Sequence, residues 1–230
     1  MAVEITSPGA CDRTAARGAD RPIDIRWFDA MDYDDALALQ RQCVGARAAG
    51  RAADTLLLLT HPPTYTLGVR GGEKNFRVSP KRLEAGGAVV RHADRGGDVT
   101  FHGPGQLVGY PIMDVMRRCG DVSRYVSKLE QVLIDTLAAF GVAGYRLPRY
   151  RGVWTSAGKI AAIGVRVNAA GISSHGFALN VNPDLSYFEA IVACGIEGAA
   201  VTSMAAVLNR PVSMSDVHTK LPEVFLRVFG

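Results

Sequence analysis

Three stretches of this sequence carry side chains able to do chemistry. Cys194, in Ile191-Val192-Ala193-Cys194-Gly195-Ile196, is a thiol among apolar neighbours. In that setting a cysteine is either a buried small hydrophobe or, given the bare turn and exposed N–H that Gly195 allows, a nucleophile able to hold an acyl thioester. Lys159 opens the otherwise apolar run Gly158-Lys159-Ile160-Ala161-Ala162-Ile163-Gly164. Its ammonium either extends to solvent or is held in a pocket as a charge partner or proton acceptor. The segment Arg95-Gly96-Gly97-Asp98-Val99-Thr100-Phe101-His102, continuing as Gly103-Pro104-Gly105-Gln106, is the densest cluster of glycine around polar residues. Its glycines let backbone N–H groups approach a ligand, and its arginine and histidine supply charge or a proton. It matches neither a P-loop nor a dinucleotide-binding turn, and two glycine-rich hairpin turns account for it equally well. His61, His92, His102, His175 and His218 are scattered without metal-ligand spacing, so no metal is proposed.

These residues must be positioned by recognisable elements. Ile23 to Trp27 alternates like a half-buried strand, and Tyr33 to Arg47 aligns Tyr33, Ala36, Leu37, Gln40, Cys43 and Val44 on one helical stripe. Leu56 to Leu59 is suited to a buried strand that stops at His61-Pro62-Pro63, where a chain reversal is expected. Ala88 to Val90, Val99 to Phe101 and Leu107 to Tyr110 read as further strands. From Ser123 to Phe140, Tyr125, Val126, Leu129, Val132, Leu133, Leu137 and Phe140 recur at helical spacing, with Asp121 or Ser123 as N-cap and Gly141 as stop. Arg151 to Thr155, Lys159 to Val167 and Ile172 to Val181 predict an antiparallel meander that carries Lys159 and His175. Short helices follow at Leu185 to Ile191 and Thr202 to Leu208. A last helix begins at Ser213, with Asp216 in a capping-box position, and Pro222 is expected to kink or restart it.

The chain has 230 residues, of which 48% are hydrophobic and 21% charged, enough for a sizeable core without staples. Residues 1 to 22 lack apolar periodicity and are expected to form a flexible tail, leaving 23 to 230 as one domain. Four cysteines without paired spacing exclude a disulfide or zinc framework, and no apolar run or secretory signal marks a membrane or export route. A cytoplasmic protein is expected. The net charge of +4 fits an acidic protein partner as well as nucleic acid, but the basic residues are dispersed among acids rather than clustered with exposed aromatics. The order of elements favours α+β, a mixed and largely antiparallel sheet with packed helices.

The run RGGDVTFHGPGQLVGYP, followed by GVW, GKIAAIGVRV, HGFALNVNPDL and ACGI, resembles the octanoyl-[acyl carrier protein]:protein octanoyltransferases of lipoate biosynthesis, from about Ile23 to Leu208. The resemblance implies the biotin/lipoate protein ligase fold and transfer of an octanoyl group from its carrier protein through a cysteine to a lysine of a lipoyl domain. The acceptors would be lipoyl domains of 2-oxoacid dehydrogenases and the glycine cleavage H protein, with no cofactor. It further implies that Cys194 is the acyl-thioester cysteine and Lys159 the lysine that tunes it. Substrate binding would fall to Arg95, Gly96, Gly97, Asp98, Val99, Thr100, Phe101 and His102, to Ala162, Ile163 and Gly164, and to Gly176, Phe177 and Ala178. Ala193 stands where the family often has proline, and Thr60 where it often has glutamate; neither removes a group the chemistry needs. Two rivals share parts of this pattern: an ATP-dependent lipoate or biotin ligase, which has no use for Cys194, and a non-enzymatic module binding acyl carrier or lipoyl domains.

Overall fold

The computed structural model describes residues 22–192 and 198–230. The expected tail, apart from Pro22, and Cys194 itself lie outside the described residues. Strand β1 (Asp24–Ala30) leads through helix α1 (Tyr33–Ala48) to β2 (Thr55–Thr60), which pairs with β1 in parallel. Helix α1 buries Tyr33, Ala36, Gln40 and Cys43, the stripe that the spacing predicts. The prolines after His61 end β2, but the chain does not simply turn back. It enters a strand with no counterpart in the sequence reading, β3 (Thr64–Leu67), in a second sheet. There β3 lies between β4 (Val89–His92), parallel to it, and β5 (Val99–His102), antiparallel. The short helix α2 (Pro80–Ala85) lies between β3 and β4 in the chain.

The chain then returns to the first sheet through β6 (Gln106–Ile112). After helices α3 (Val115–Cys119) and α4 (Val122–Ala139) come β7 (Tyr145–Leu147), β8 (Tyr150–Thr155), β9 (Gly158–Val167) and β10 (Ser173–Asn180). The seven-stranded order is β1-β2-β6-β10-β9-β8-β7, antiparallel at every pairing except β1 with β2. The α+β class with a mixed, mainly antiparallel sheet is therefore borne out, as is the β8-β9-β10 meander. Beyond β10 come a 3-10 turn (Leu185–Ala190), α5 (Met204–Leu208) and α6 (Met214–Phe229).

Each face of the large sheet has its own cover. Leu56, Leu58, Leu107, Phe177, Leu179 and Ile160 point towards α4 and α6, where Leu129, Val132, Leu133, Leu221 and Phe225 complete a dry core. Asp121, rather than Ser123, caps α4 by accepting from the Arg124 N–H at 2.8 Å, and Gly141 at φ 80° follows its end. Ser213 caps α6 through the Asp216 N–H at 3.2 Å. Of the two outcomes expected at Pro222, a kink or a restart, the restart does not occur: α6 is continuous from Met214 to Phe229, with Pro222 buried against this core. The other face presents Leu57, Leu59, Val108, Tyr110 and Ala178 to α1 and, further along, to the three-stranded sheet. The gap left on this side is the cleft described next.

Candidate active site

Cross-strand partners share a face of a sheet, so register alone assembles the cleft floor. Ala178 pairs with Val108 on one side and Ala162 on the other, and Gly176 pairs with Gly164. Four small residues side by side on β9 and β10 leave an empty strip over the sheet. The resulting cleft, of about 110 Å³, is lined by Arg95, Gly97, Asp98, Thr100, His102, Lys159, Ala162, Ile163, Gly164, Gly176, Phe177 and Ala178 among others.

Strict alternation from Ala162 would turn Lys159 to the helix side of the sheet. The structure avoids this with a bulge: Trp154 pairs with Lys159 but Val153 pairs with Ala161, so Ile160 is an extra residue on β9. Lys159 thereby shares a face with Ala162 while Ile160 stays in the core. The lysine is buried, its Nζ 5.4 Å from the centroid of the Trp154 ring. Room for its stem comes from Gly152, at φ 114°, where a Cβ would lie 2.9 Å from Lys159 Cε and 2.4 Å from the Ala161 oxygen. The Lys159 N–H donates to Ala200 O at 2.8 Å, and its carbonyl accepts from the Thr202 N–H at 2.9 Å. On the near side of Cys194, the Val192 N–H donates to Asn75 O at 2.8 Å. Asp98 in turn accepts from the Asn75 side-chain amide at 2.7 Å, so this cleft residue braces the chain entering the Cys194 segment.

Of the glycine-rich stretch, alternate residues reach the cleft. Thr100 and His102 on β5 face it, whereas Val99 and Phe101 point into the core of the small sheet, Phe101 stacked on Tyr187 with centroids 4.5 Å apart. Gly96 does not line the cleft; its N–H donates to Val165 O at 3.0 Å, stitching the stretch to β9. Arg95 is buried and donates to Thr66 Oγ1 at 2.7 Å and Thr66 O at 2.8 Å. A polar chain continues from there. Thr66 Oγ1 lies 3.4 Å from His102 Nε2, and His102 Nδ1 donates to Gln106 Oε1 at 2.9 Å. The Gln106 amide donates to Asn180 Oδ1 at 2.9 Å, and the Asn180 amide to Thr202 O at 2.9 Å. The chain joins both sheets to the backbone that flanks Lys159.

Nothing in the sequence marks Tyr33, Arg70, Tyr110, Arg149, Tyr150 or Arg151 as cleft residues, and His175 lines the cleft with them. No local pattern marks the first group, because it is gathered from α1, the loop after β3, β6 and the β7–β8 hairpin. His175 takes φ 56°, its N–H donating to Gln40 Oε1 at 2.7 Å and its Nε2 lying 2.6 Å from Asp94 Oδ1. His61 donates from Nδ1 to Met31 O at 2.7 Å, so its Nε2 accepts from the Tyr110 hydroxyl at 2.7 Å. Burial pushes His61 down to about 4. Burial, with the charges of His61 and Arg95, pushes His102 down to about 3. Burial also lowers His175, against the pull of Asp94. Burial raises the Tyr33 hydroxyl to about 12. Near pH 7 these rings and hydroxyls are neutral, which suits an apolar ligand chain. Among the described residues no group of three His, Cys, Asp or Glu side chains is placed to hold a metal ion, and no helix is long and apolar enough to cross a membrane.

Comparison with known proteins gives a consistent answer. The profile of the lipoyl protein ligase A/B catalytic domain matches residues 32–226. An octanoyltransferase of Chloroflexus aggregans is 44% identical over 211 residues, covering 91% of this chain and 96% of its own. One from Geobacter metallireducens is 49% identical, covering 84% of this chain and 87% of its own. Among solved structures, the bipartite lipoate protein ligase of Thermoplasma acidophilum superposes with a TM-score of 0.67 at 14% identity, over 91% of this chain and 84% of that one. Lipoate-protein ligase A bound with ATP gives 0.66 at 12% identity, over 90% and 84%. These two likenesses establish the ligase-like fold, and the sequence matches go further: the chain belongs to the octanoyltransferase family of acyltransferases.

Proposed function

We propose that this chain takes an octanoyl group from the thioester of an acyl carrier protein onto Cys194 and passes it to the side-chain amine of a lysine on a lipoyl domain. The observation that carries the reading is the setting of Lys159. It is a buried cation turned by a bulge onto the small-residue floor of the cleft, and its backbone is hydrogen-bonded to Ala200, a few residues beyond Cys194. An ammonium beside a thiol stabilises the thiolate and so makes the nucleophile available near neutral pH.

In the first half-reaction the Cys194 sulfur attacks the thioester carbonyl. A carbon–sulfur bond forms to Cys194, the bond to the carrier's sulfur breaks, and the departing thiolate takes the proton of the Lys159 ammonium, leaving Lys159 as a neutral amine. In the second, the acceptor amine attacks the same carbonyl, the carbon–nitrogen bond forms and the bond to Cys194 breaks. The neutral Lys159 amine takes the proton lost by nitrogen and Cys194 departs as the thiolate, so the starting thiolate–ammonium pair is restored. Thioester exchange is close to balanced and thioester-to-amide transfer is downhill, so the sequence closes without ATP. The strip over Ala162, Gly164, Gly176 and Ala178 is the slot for the acyl chain, and the octanoyltransferase relatives support eight carbons as its length.

Intact-protein mass after incubation with octanoyl-acyl carrier protein tests the reading. The expected result is a gain of one octanoyl group, removed by hydroxylamine and absent in Cys194→Ala. Octanoylation of a lipoyl domain that needs ATP and free octanoate, with no adduct on this chain, would identify a ligase instead, and a carrier complex with neither adduct nor transfer a binding module.

A further inference from the structure

The hairpin between β7 and β8 holds an arginine where the backbone favours glycine. Leu147 pairs with Tyr150, so Pro148 and Arg149 make the turn, and Arg149 sits at φ 74°. Proline followed by a positive φ is the order of a type II turn, whose second position is relaxed for glycine or asparagine and strained for a long side chain. The other two non-glycine residues with positive φ among the described residues have local reasons for it. His175 is locked by Gln40 and Asp94, and Asn209 caps α5. Arg149 is exposed, and among the described residues no carboxylate pairs with its guanidinium. Strain kept with no carboxylate partner among the described residues points to an external one.

The position says what kind. Arg149 lines the cleft at its exposed margin together with Arg151 of β8 and Arg70 of the loop after β3, both also exposed. Arg151 reaches the Ser123 hydroxyl at 3.4 Å, whereas Arg70 has no carboxylate partner among the described residues. Exposed apolar side chains accompany the cations on both elements: Val69 is 69% accessible beside Arg70, and Tyr150 is 42% accessible between Arg149 and Arg151. Cations interleaved with apolar surface on two separate elements have the composition of a protein-docking rim, wider than the convergent donors that hold a single phosphate. We infer that Arg149, Arg151 and Arg70 dock the acidic face of the carrier protein that delivers the acyl group, next to the cleft its arm enters. The inference rests on the proposed function and adds to it the surface that selects the donor.

The rate of acyl-enzyme formation, measured without acceptor, tests it with octanoyl-acyl carrier protein, octanoyl-phosphopantetheine and octanoyl-pantetheine as donors. Arg149→Gly relaxes the turn, so its unfolding midpoint stays level or rises. Its second-order rate constant is expected to fall about tenfold further with the carrier than with either small thioester, and the gap to close as salt is raised to about 0.5 M. The double variant Arg70→Ala/Arg151→Ala is expected to behave alike. Equal losses on all three donors, a loss on phosphopantetheine matching that on the carrier, or an unchanged carrier rate would each overturn the inference. Should the unmodified protein form no acyl-enzyme from any donor, it is the site reading that fails. Docking is then judged by titrating holo-acyl carrier protein: salt-sensitive binding weakened by Arg149→Gly supports it, and no binding rejects it.

Discussion

Removing the Lys159 ammonium separates its two tasks. If Lys159 tunes Cys194 as proposed, Lys159→Ala leaves the thiol but removes its counter-charge, so alkylation of Cys194 by iodoacetamide should slow about tenfold at pH 7 and recover as pH rises. Lys159→Arg returns a cation that does not give up its proton, and should therefore rescue alkylation more than transfer to the acceptor lysine. Alkylation profiles that match the unmodified protein in both variants, with transfer intact, would leave Lys159 no part in the chemistry. At this scale the sequence was informative about type and poor about direction. The lone charge ahead of an apolar strand marks Lys159 as unusual, but alternation from Ala162 assigns it to the wrong side, because nothing in GKIAAIGVRV announces that Ile160 is extra. The same alternation does sort the β5 stretch, sending Thr100 and His102 to the cleft and Val99 and Phe101 to the core.

Strands β9 and β10 form a slot because their facing residues are small, and enlarging one should shorten what fits. Ala178→Leu and Ala162→Leu should each lower the rate with octanoyl donors by at least about tenfold and with butyryl donors by less, since the added carbons narrow the strip and a longer chain must pass more of it. Equal losses for both chain lengths would mean that the acyl group does not lie over these strands. Gly176→Val is a poorer probe than its place in the cleft suggests. A Cβ at Gly176 would lie 2.0 Å from the Gly109 oxygen and 2.6 Å from Pro111 Cδ, so β6 must give way and the sheet itself is damaged. Long periodic elements such as α4 and the meander were legible from the sequence. The elements it hid, β3, β7, α2 and α3, are six residues or fewer, too short for periodicity to build up, and β3 was further masked by the two prolines that redirect the chain into it.

Two features act on the whole molecule. Asp54, with its side chain 2% accessible, accepts from Arg47 at 2.6 Å and Arg118 at 2.5 Å, and Arg118 also donates to the Phe229 carbonyl at 3.1 Å. One carboxylate thus ties α1, α3 and the end of α6, and Asp54→Asn, which removes the charge the two arginines share and leaves Arg47 its longer 3.4 Å pairing with Asp114, should cost about 3 kcal/mol in urea unfolding. The second feature is the set of buried neutral histidines, of which His61 and His102 are the most strongly shifted. Their folded values, about 4 for His61 and about 3 for His102, lie below the ordinary 6.5. As pH falls below 6.5 the unfolded chain therefore takes up protons that the folded one refuses. The stability they contribute is complete above 6.5 and drains by about 1.4 kcal/mol per histidine per pH unit until their folded values are reached. Urea midpoints between pH 7 and 4.5 should show that slope, and His61→Gln should reduce it.

The anchoring of the chain on either side of Cys194 also sets a timetable for folding. Val192 is held by Asn75, beside the bridge from Ile191 to Phe76 at the small sheet, while Ala200 is held by Lys159 on the large one. Both attachments join residues far apart along the chain, and the first requires the two sheets to have met. Contacts of that range are late events on a folding route. During refolding, strand and helix signals should therefore return before the capacity to form an acyl-enzyme, so a newly made or damaged molecule stays chemically silent until its two sheets have docked.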